Sequence, residues 1–485
     1  MADCVKVSGT NKNADSKFIH SIKPPQTYKD ASKILKQMSE KKGTFKTCLY
    51  NARNNNRHKT VYSLVTGTMK YNSILDELIE STCLSKENRL DKELAKVLIY
   101  ELFYGKKTLL GNSKPVLKIL ENKKELEKGL KRVLKNKCVE DLSTTVYIRI
   151  NTLKTSMDDF VYYLEQQEYS EIYYGPETTY EEYIKLVKSL EIGSFLRDFH
   201  MDHLLVFPPR TSFYDDTFFQ QRKIIIQDKA SCFPAALLNP TPGSTVIDAC
   251  AAPGMKTTHL AALMENNGQV LAVDKDEKRI KLLENNLQLS NVTCATCFCR
   301  DFTSIDPKEE PYCNAEYVLV DPSCSGSGMV NRLREGSVRS TNNSADRLRK
   351  LEWFQIKCLN HAMEFANVKR IVYSTCSFSP EENEAVVTRA LAEHKGEFRL
   401  VRALPEWQRR GITEGFKKMS RAIRTDPEAD MTGGFFVAVI ERKNTVNKIS
   451  LENVFDFTKK EITEKFDERK GLQVILAPKI GKNEK

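Results

Sequence analysis

The segment Glu316-Tyr-Val-Leu-Val-Asp-Pro-Ser-Cys-Ser-Gly-Ser-Gly328 decides the fold that we predict for this chain. A short apolar run ends in an acid, a proline, a cysteine and two glycines, which is typical of a buried parallel strand followed by a functional loop. The pattern recurs in Arg370-Ile-Val-Tyr-Ser-Thr-Cys-Ser377. Because parallel strands end at the same edge of a sheet, we expect Cys324 and Cys376 to lie close together.

Strands and helices alternate from about residue 223 onward. The apolar runs predict strands at 246–249, 270–273, 292–299, 318–320, 371–374 and 435–440. Such alternation is typical of a doubly wound, mostly parallel sheet, and ligands bind outside the carboxyl ends of its strands. We therefore predict an α/β, Rossmann-like domain over residues 221–442.

Composition limits the class of protein. The 485 residues are enough for about three domains. No apolar run is long enough to span a bilayer, and residues 1–44 contain no signal-peptide core, so we expect neither secretion nor a membrane partner. The thirteen cysteines are scattered through apolar segments, which indicates reduced thiols.

The residues before the α+β region predict a polar extension followed by a helical domain, and a tail is predicted at the C-terminal end. Residues 1–45 are polar, and we expect a flexible extension without a core of its own, apart from a helix near 31–38. Residues 46–137 show helical periodicity and predict an all-helical domain. Between Asn112 and Lys137, nine Lys or Arg face three Glu, which fits either a solvated face or a phosphate-binding face. Residues 443–485 form a predicted basic C-terminal tail with a helix near 459–470.

Residues 139–220 predict a small α+β domain of the ferredoxin or RRM type. Apolar residues alternate with polar ones in the order Val146, Tyr147, Ile148, Arg149, Ile150 and Asn151, which indicates a half-buried strand. The segment is also dense in tyrosines, and sheets of this kind often bind RNA. The tyrosines fit an RNA platform and an ordinary core equally well.

A second candidate site follows the strand at 246–249. The loop Cys250-Ala-Ala-Pro-Gly-Met-Lys256 leads into a helix, whose N-terminus favours an anionic group, but its single glycine is not the dinucleotide fingerprint. Acids stand at the ends of four predicted strands: Asp248, Asp274, Asp301 and Asp321. One such acid is commonly a helix cap, whereas four suit a ligand with a ribose, an amine and a positive sulfonium, namely S-adenosylmethionine.

The two loop cysteines suggest covalent chemistry on a pyrimidine. A thiolate that adds to carbon 6 of cytosine activates carbon 5, and a base must then remove the carbon-5 proton. Ser379, Pro380 and Glu382 predict a helix start whose positive end would lie near Cys376. The remaining strand cysteines, among them Cys294, Cys297 and Cys299, lack the paired spacing of a zinc site, so we expect no metal.

Three motifs, in this order, resemble those of the Sun-domain RNA cytosine-5 methyltransferases. They are 250–256, Asp321-Pro-Ser-Cys-Ser-Gly-Ser-Gly328 and Ser374-Thr-Cys-Ser-Phe-Ser-Pro-Glu-Glu-Asn-Glu384. The resemblance covers residues 139–442, including Gln227-Asp-Lys-Ala-Ser231 at the entry to the methyltransferase domain. The helical region further resembles the branch that modifies large-subunit ribosomal RNA in eukaryotic nucleoli.

The resemblance implies a role for each motif residue. Cys376 would attack the base, Cys324 would assist proton removal and product release, Asp321 would hold the cytosine, and Lys256 would lie between cofactor and substrate. The S-adenosylmethionine site would consist of Cys250, Ala251, Ala252, Pro253, Gly254, Met255, Lys256, Asp274, Arg279, Asp301 and Asp321. DNA cytosine methyltransferases instead take their nucleophile from the Pro-Cys loop, and spacing alone does not decide between the two thiols.

Two departures from the family pattern stand out. Gly254-Met255 replaces the usual two glycines, and Pro-Ser-Cys324 replaces Ala-Pro-Cys. The first could alter how the cofactor packs, and the second is expected of the ribosomal RNA branch.

The resemblance also implies RNA as the partner, a monomer, and a location in the nucleus and nucleolus. Basic residues after the Cys324 loop fit phosphate contacts or a solvated loop: Arg332, Arg334, Arg339 and Arg347. Two alternatives remain, a non-catalytic ribosome-assembly factor that binds RNA, and the same chemistry on tRNA.

Overall fold

A computed structural model describes residues 23–40, 58–86, 90–136, 145–329 and 341–443. Residue contacts divide the chain into an N-terminal helical unit, up to residue 140, and a larger α/β unit from residue 141 onward. Several predictions lie outside the described residues: those for 1–22, for the C-terminal tail with its helix, and for Arg332, Arg334 and Arg339.

The N-terminal unit is helical, as its periodicity predicts. Its helices are α1 (Gln26–Ser39), α2 (His58–Lys70), α3 (Asn72–Glu80), α4 (Lys92–Phe103), α5 (Lys114–Glu121) and α6 (Lys123–Asn136). Leucine, isoleucine and valine side chains from all six helices meet in its core, where apolar burial stabilises the unit.

Helix α1 corrects the prediction of a coreless extension over residues 1–45. It buries Tyr28, Ala31, Ile34 and Leu35 in the core of the helical unit. These positions follow one another at three, three and one residues, which places them on one face of a helix. The polar composition of the segment hides this apolar stripe.

The α+β subdomain opens the second unit. Its elements are β1 (Val146–Ile150), α7 (Met157–Gln166), β2 (Ser170–Glu171), α8 (Tyr180–Ser189), β3 (Ser194–Arg197), β4 (Leu204–Phe207), α9 (Thr217–Gln220) and β5 (Ile224–Ile226). The sheet order is β2-β3-β4-β1-β5, with β1 antiparallel to both neighbours. Because β5 pairs with β1, this sheet extends past residue 220, where the sequence placed the domain boundary.

Strand β1 is buried on both faces, so the prediction of a half-buried strand is wrong. Ile148 and Ile150 pack against helix α7, whereas Tyr147 packs against the Rossmann-like domain that follows. Arg149 is fully buried, and its Nε donates to Oε1 of Gln227 at 2.8 Å. Tyr174 and Tyr183 are buried in the same core as Tyr147, whereas Tyr162 and Tyr214 are exposed. The sheet face that the sequence offered as an RNA platform is covered by the following domain.

The remaining elements form the Rossmann-like domain. They are α10 (Lys229–Leu238), β6 (Thr245–Asp248), α11 (Met255–Leu263), β7 (Gln269–Asp274), α12 (Glu277–Leu289), β8 (Ala295–Cys299), β9 (Tyr317–Val320), α13 (Thr341–Glu364), β10 (Arg370–Thr375), α14 (Glu384–Glu393), β11 (Phe398–Val401), β12 (Ile423–Thr425) and β13 (Phe435–Arg442). The sheet order is β11-β13-β10-β9-β6-β7-β8, with β12 paired to β13.

The sheet confirms the Rossmann-like prediction. Strands β6 to β10 are mutually parallel, and β13 is antiparallel to its three neighbours. Alternate residues bury both faces: Val246 and Leu319 face α10 and α11, whereas Ile247 and Val318 face α13 and α14. The strand order reverses between β6 and β9, and the loops that follow these two strands therefore open a crevice at the carboxyl edge.

None of the helices in the described ranges is long and apolar enough to cross a membrane.

Candidate active site

The loops after β9 and β10 bring the two predicted thiols together. The Sγ atoms of Cys324 and Cys376 are 3.1 Å apart, which confirms that the two cysteines lie close to one another. The backbone N–H of Gly328 also donates to the carbonyl of Cys376 at 3.0 Å. The two loops are thus joined to each other as well as to their strands.

Glu382 fastens the two loops from behind. Its carboxylate is fully buried and accepts hydrogen bonds from the Ser325 N–H (2.8 Å) and the Ser377 hydroxyl (2.5 Å). The side chain of Gln355, on helix α13, donates to the same carboxylate at 3.0 Å. One residue on each thiol loop is therefore tied to one carboxylate, which limits how far the thiols can separate.

This role of Glu382 corrects the predicted helix start after Cys376. Pro380–Glu382 forms a single 3₁₀ turn, Ser379 makes no capping bond through its side chain, and helix α14 begins only at Glu384. Glu382 turns inward to the thiol loops because their backbone and hydroxyl donors lie within reach. The sequence pattern of a capping box does not distinguish these two uses of a glutamate.

Asp321 joins a lysine from the first loop to the thiol site. Its Oδ2 accepts from the Lys256 ammonium at 2.7 Å, and its Oδ1 accepts from the Ser374 hydroxyl at 2.6 Å. Burial alone would lower the pKa of Lys256, but attraction to Asp321 outweighs burial and raises the pKa. Lys256 is therefore a cation at neutral pH, and Cys376 is among the groups whose negative charge would favour it.

Cys324 differs from an ordinary exposed thiol. Its hydrogen bond with Cys376, and then its burial, raise the pKa of Cys324. Cys324 consequently retains its proton at neutral pH and is a donor toward Cys376.

Both thiols open onto a cavity of about 250 Å³. Of the residues that the sequence predicts for catalysis or cofactor binding, the cavity wall contains Cys250, Ala252, Asp274, Arg279, Asp301, Asp321, Cys324 and Cys376. Lys256 is not in the wall but bonds to Asp321, which is. Ala251, Pro253, Gly254 and Met255 form the frame of the loop outside the cavity. The second glycine of the family pattern would thus occupy a position that the cavity does not use.

The cofactor end of this cavity contains groups that fit a ribose and a purine amine. Asp274 ends β7 and is nearly buried, and its Oδ2 accepts from the Ala252 N–H at 3.3 Å and pairs with Arg279 at 3.1 Å. Asp301 follows the adjacent strand β8 and lines the same cavity. Gly254 has φ +102°, a backbone conformation that residues with a side chain rarely adopt, so this turn of the loop favours glycine. These residues fit S-adenosylmethionine.

Asp248 is the exception among the four strand-end acids. It is almost fully buried, outside the cavity wall, and its Oδ2 accepts from the Thr257 hydroxyl of helix α11 at 2.7 Å. Burial raises the pKa of Asp248 to about 7. The structural alternative, an acid that ties its strand to the next helix, is therefore correct for Asp248. Asp301 combines both uses, since its Oδ1 also accepts from the Thr303 N–H at 3.0 Å.

Sequence reasoning missed several residues of the site. Phe354 and Lys275 line the cavity, and Ser374 binds Asp321. Ser374 immediately precedes Thr375-Cys376, so the motif itself offered a signal. Phe354 comes from helix α13, and no local pattern connects that helix with the loops. In the part of the chain that the structure describes, no group of three or more His, Cys, Asp or Glu could hold a metal ion.

Three family models match successive parts of the chain. Residues 59–145 match the N-terminal domain of NOL1/NOP2/Sun domain family member 5, and 144–227 match the ferredoxin-like domain of the same member. Residues 235–441 match the 16S rRNA methyltransferase RsmB/F model. The second match includes β5, in agreement with the boundary that the sheet indicates.

Known proteins resemble the chain over most of its length. The 28S rRNA (cytosine-C(5))-methyltransferase of Mus musculus is 38% identical over 86% of this chain and 91% of its own. The 25S rRNA (cytosine-C(5))-methyltransferase rcm1 of Schizosaccharomyces pombe is 35% identical over 85% and 90%. The crystal structure of PH0851 shares the fold, with a TM-score of 0.58 at 20% identity, over 87% of this chain and 100% of its own. The chain therefore belongs to the NOL1/NOP2/Sun-domain family of RNA cytosine-C(5) methyltransferases.

Proposed function

We propose that this protein transfers a methyl group from S-adenosylmethionine to carbon 5 of a cytosine in large-subunit ribosomal RNA, through a covalent bond between Cys376 and carbon 6. The observation that carries the proposal is the 3.1 Å separation of the Cys324 and Cys376 sulfurs in the cavity lined by Asp274 and Asp321. A base inside a stacked helix cannot enter such a cavity, so the target cytosine must be flipped out or unpaired.

The charges around the two sulfurs support Cys376 as the nucleophile. Cys324 retains its proton because the hydrogen bond with Cys376 and burial raise its pKa. The Lys256 ammonium interacts with Cys376 and stays charged beside Asp321. A protonated Cys324 and a nearby cation together favour a thiolate at Cys376, which is the form that attacks.

Cys324 then acts in the second half of the reaction. When the Cys376 sulfur forms its bond to carbon 6, the electron pair of the C5–C6 double bond becomes available at carbon 5 for the methyl group. Before the attack, the negative charge of the Cys376 thiolate favours the protonated form of Cys324. Bond formation to carbon 6 removes this charge, so Cys324 can release its proton to water and then accept the proton from carbon 5. Loss of that proton restores the C5–C6 double bond and expels the Cys376 thiolate.

Asp321 and Lys256 position the base. The Asp321 carboxylate, held by Lys256 and Ser374, can accept a hydrogen bond from the exocyclic amine of cytosine. Uracil has a carbonyl in place of that amine, so the same carboxylate disfavours it.

The cofactor side follows from the same cavity. S-adenosylmethionine, when bound, supplies a methyl group on a positive sulfonium. Asp274 would accept the ribose hydroxyls, Asp301 the adenine amine, and the loop 250–256 would place its backbone against the ligand. Arg279 forms an ion pair with the Asp274 carboxylate, so its role is to position Asp274 rather than to bind the ligand directly.

The substrate, oligomeric state and location are inferred from the relatives and the site. The similar proteins of mouse and fission yeast are named for 28S and 25S ribosomal RNA, which supports the large subunit as the source of the target. Because one chain supplies both thiols and all the acids that line the cavity, a monomer is sufficient for the proposed chemistry. Action on ribosomal RNA supports a location in the nucleus and nucleolus.

The two thiols give the decisive experiment. Cys324→Ala protein, incubated with ribosomal RNA and methyl donor, should accumulate a protein–RNA adduct that survives a denaturing gel, because product release is impaired. Cys376→Ala should form no adduct and no 5-methylcytosine in a bisulfite readout. Cys299→Ala, which changes an exposed thiol outside the cavity, is the matched control and should behave as wild type.

Other outcomes would separate the alternatives. Adducts from Cys376→Ala but not from Cys324→Ala would make Cys324 the nucleophile. No 5-methylcytosine with wild-type protein would favour a non-catalytic assembly factor. Sequencing the RNA trapped by Cys324→Ala in cells distinguishes ribosomal RNA from tRNA.

A further inference from the structure

Helix α13 borders the cavity and presents an unusual outer face. Phe354 lines the cavity, and the buried side chain of Gln355 donates to the carbonyl of Ser323, in the Cys324 loop, at 3.0 Å. Trp353, which directly precedes Phe354 in the chain, is 67% exposed. The chain has two tryptophans, and the other, Trp407, is 2% exposed. An exposed indole next in the chain to a residue of the cavity wall is a candidate for contact with a flat ligand.

Cations flank Trp353 on the same face of the helix. Lys350 precedes it by three residues and Lys357 follows it by four, the spacings of side chains that are neighbours on a helix. Arg347 lies a further three residues back, and all three cations are exposed. We call Arg347, Lys350, Trp353 and Lys357 the α13 ridge. The exposed Asp346, four residues before Lys350, also lies on this face, with its carboxylate 3.9 Å from Arg349. Glu352 lies outside the face and pairs with Arg389 at 3.1 Å.

The ridge is continuous with the cavity wall. Lys275 lies over the ring of Phe354 at 5.2 Å, and Phe354 occupies the turn between Lys350 and Lys357. Asp301 lines the cavity, and its pKa is lowered. Burial alone would raise this pKa, but hydrogen bonds from Thr303 and then the charges of Lys275 and Lys357 outweigh burial. Lys357 is therefore within electrostatic reach of the cavity.

We propose that the α13 ridge binds the RNA strand next to the target cytosine, with Trp353 stacked on an unpaired neighbouring base and the cations on its phosphates. The inference rests on the proposed function. An exposed aromatic ring between cations is the arrangement that binds single-stranded nucleic acid, because every base offers a flat face and every nucleotide a charge. A flipped cytosine leaves its neighbours partly unstacked, and Trp353 can replace the lost stacking.

Tryptophan emission tests the ridge directly, in the absence of methyl donor. The buried Trp407, whose indole N–H donates to the Arg424 carbonyl at 2.9 Å, provides a constant background. Adding a short, cytosine-containing single-stranded RNA to the full-length protein should quench the exposed Trp353. The quenching should disappear in Trp353→Phe, which should still bind the RNA because phenylalanine also stacks.

Affinity gives the second measurement. Trp353→Ala should raise the Kd for this RNA about 5- to 150-fold, the usual cost of one lost base–aromatic stack. It should raise KM for RNA in proportion and leave kcat at saturating RNA unchanged. Lys350→Ala should reduce the slope of log affinity against log salt by about 0.7, the value for one phosphate contact on a single strand. Tyr162→Ala, which removes a side chain 64% exposed on helix α7, is the matched control and should change none of these values.

Failure of the ridge is distinguishable from failure of the proposed function. Wild-type affinity and unquenched emission in a protein that still methylates RNA would overturn the ridge and leave the function intact. Absence of both RNA binding and methylation in the wild type would overturn both. A fall in kcat without a change in Kd for Trp353→Ala would show that the residue supports the thiol site rather than the RNA strand.

Discussion

Helix α11 contributes residues to two polar clusters. One cluster faces the cavity, and the other is buried against the α+β subdomain. Lys256, in its first turn, reaches Asp321 and the thiol site at the cavity. Thr258 and His259, on its other side, meet the α+β subdomain: Thr258 accepts from Nη2 of Arg149 at 2.9 Å, and the Nε2 atoms of His259 and His203 are 2.7 Å apart. We call Lys256, Asp321, Cys324 and Cys376 the cavity cluster, and Arg149, His203, Thr258 and His259 the sealed cluster.

The two clusters also differ in how they handle charge. The cavity cluster keeps an ammonium, a carboxylate and a thiol pair beside space for a substrate. In the sealed cluster, burial lowers the pKa of Arg149 to about 10 and that of His203 to about 3, and it also lowers the pKa of His259. The two imidazoles are uncharged, and Arg149 bonds to neutral acceptors. This arrangement can stabilise an interface, but no substrate can reach it.

Residues of both clusters are buried and hydrogen-bonded, so these two properties alone do not mark a functional residue. What marks the cavity cluster is that charged groups keep unused hydrogen-bonding capacity toward an open space. We therefore expect substitutions in the cavity cluster to reduce turnover more than stability, and substitutions in the sealed cluster to do the reverse.

The largest effect should come from Asp321→Asn. The amide keeps the shape but loses the charge that holds Lys256 and accepts the cytosine amine, so methyl transfer should fall by about 100- to 10,000-fold. The midpoint of thermal unfolding should change little, because both side chains of the pair are partly exposed and water can replace the lost interaction. Initial rates with labelled methyl donor, together with thermal melts, measure the two effects. A large fall in melting temperature at full activity would contradict the distinction between the clusters.

Arg149→Ala is the counterpart in the sealed cluster. It leaves Gln227 and Thr258 without their partner and opens a cavity between subdomain and methyltransferase domain, so the free energy of unfolding should fall by about 2–4 kcal/mol. Activity per folded molecule, measured well below the new melting temperature, should remain close to wild type. Urea unfolding gives the stability, and a specific rate reduced as strongly as for Asp321→Asn would show that the clusters are coupled through helix α11.

Glu382→Gln tests a residue that is sealed yet belongs to the thiol loops. An amide cannot accept from all of Ser325, Gln355 and Ser377, so the loops should loosen and the rate should fall by about 10- to 100-fold, with a modest loss of stability. The Cys324→Ala background separates positioning from folding: if Glu382 positions the thiols, adduct formation in the double variant should slow while RNA affinity stays constant. An unchanged adduct rate would limit Glu382 to a structural role.

The strands and the motif loops were predictable from sequence because each carries a local signal. The run that ends at Asp321 and the run that ends at Ser374 have the apolar length of buried parallel strands, and parallel strands deliver their ends to one edge. That reasoning placed Cys324 next to Cys376 without a structure. The acid at each strand end was equally visible.

What the sequence could not show depends on contacts between distant segments. Asp248 and Asp274 end neighbouring strands and look alike in sequence, but a hydroxyl from Thr257 turns the first toward the core. Arg149 follows the alternation of a half-exposed strand and is buried because another domain covers it. Glu382 fits a helix cap and instead accepts from a loop 57 residues away. In each case a partner that is remote in the chain decides the role.

The stability of the sealed cluster should also depend on pH, with a smaller effect than that of the substitutions. In the folded protein His203 and His259 stay neutral, since burial lowers the pKa of both, that of His203 to about 3. In the unfolded chain they titrate near the ordinary value of about 6.5, so below that pH the unfolded state binds more protons. The free energy of unfolding should therefore fall as pH falls from about 6.5 toward 3, by up to about 1.4 kcal/mol per pH unit for each imidazole. His259→Gln, which cannot be protonated, should show a shallower decline in urea unfolding across this range. Equal slopes for variant and wild type would mean that the sealed cluster admits a proton, and the contrast with the cavity cluster would then fail where it is most quantitative.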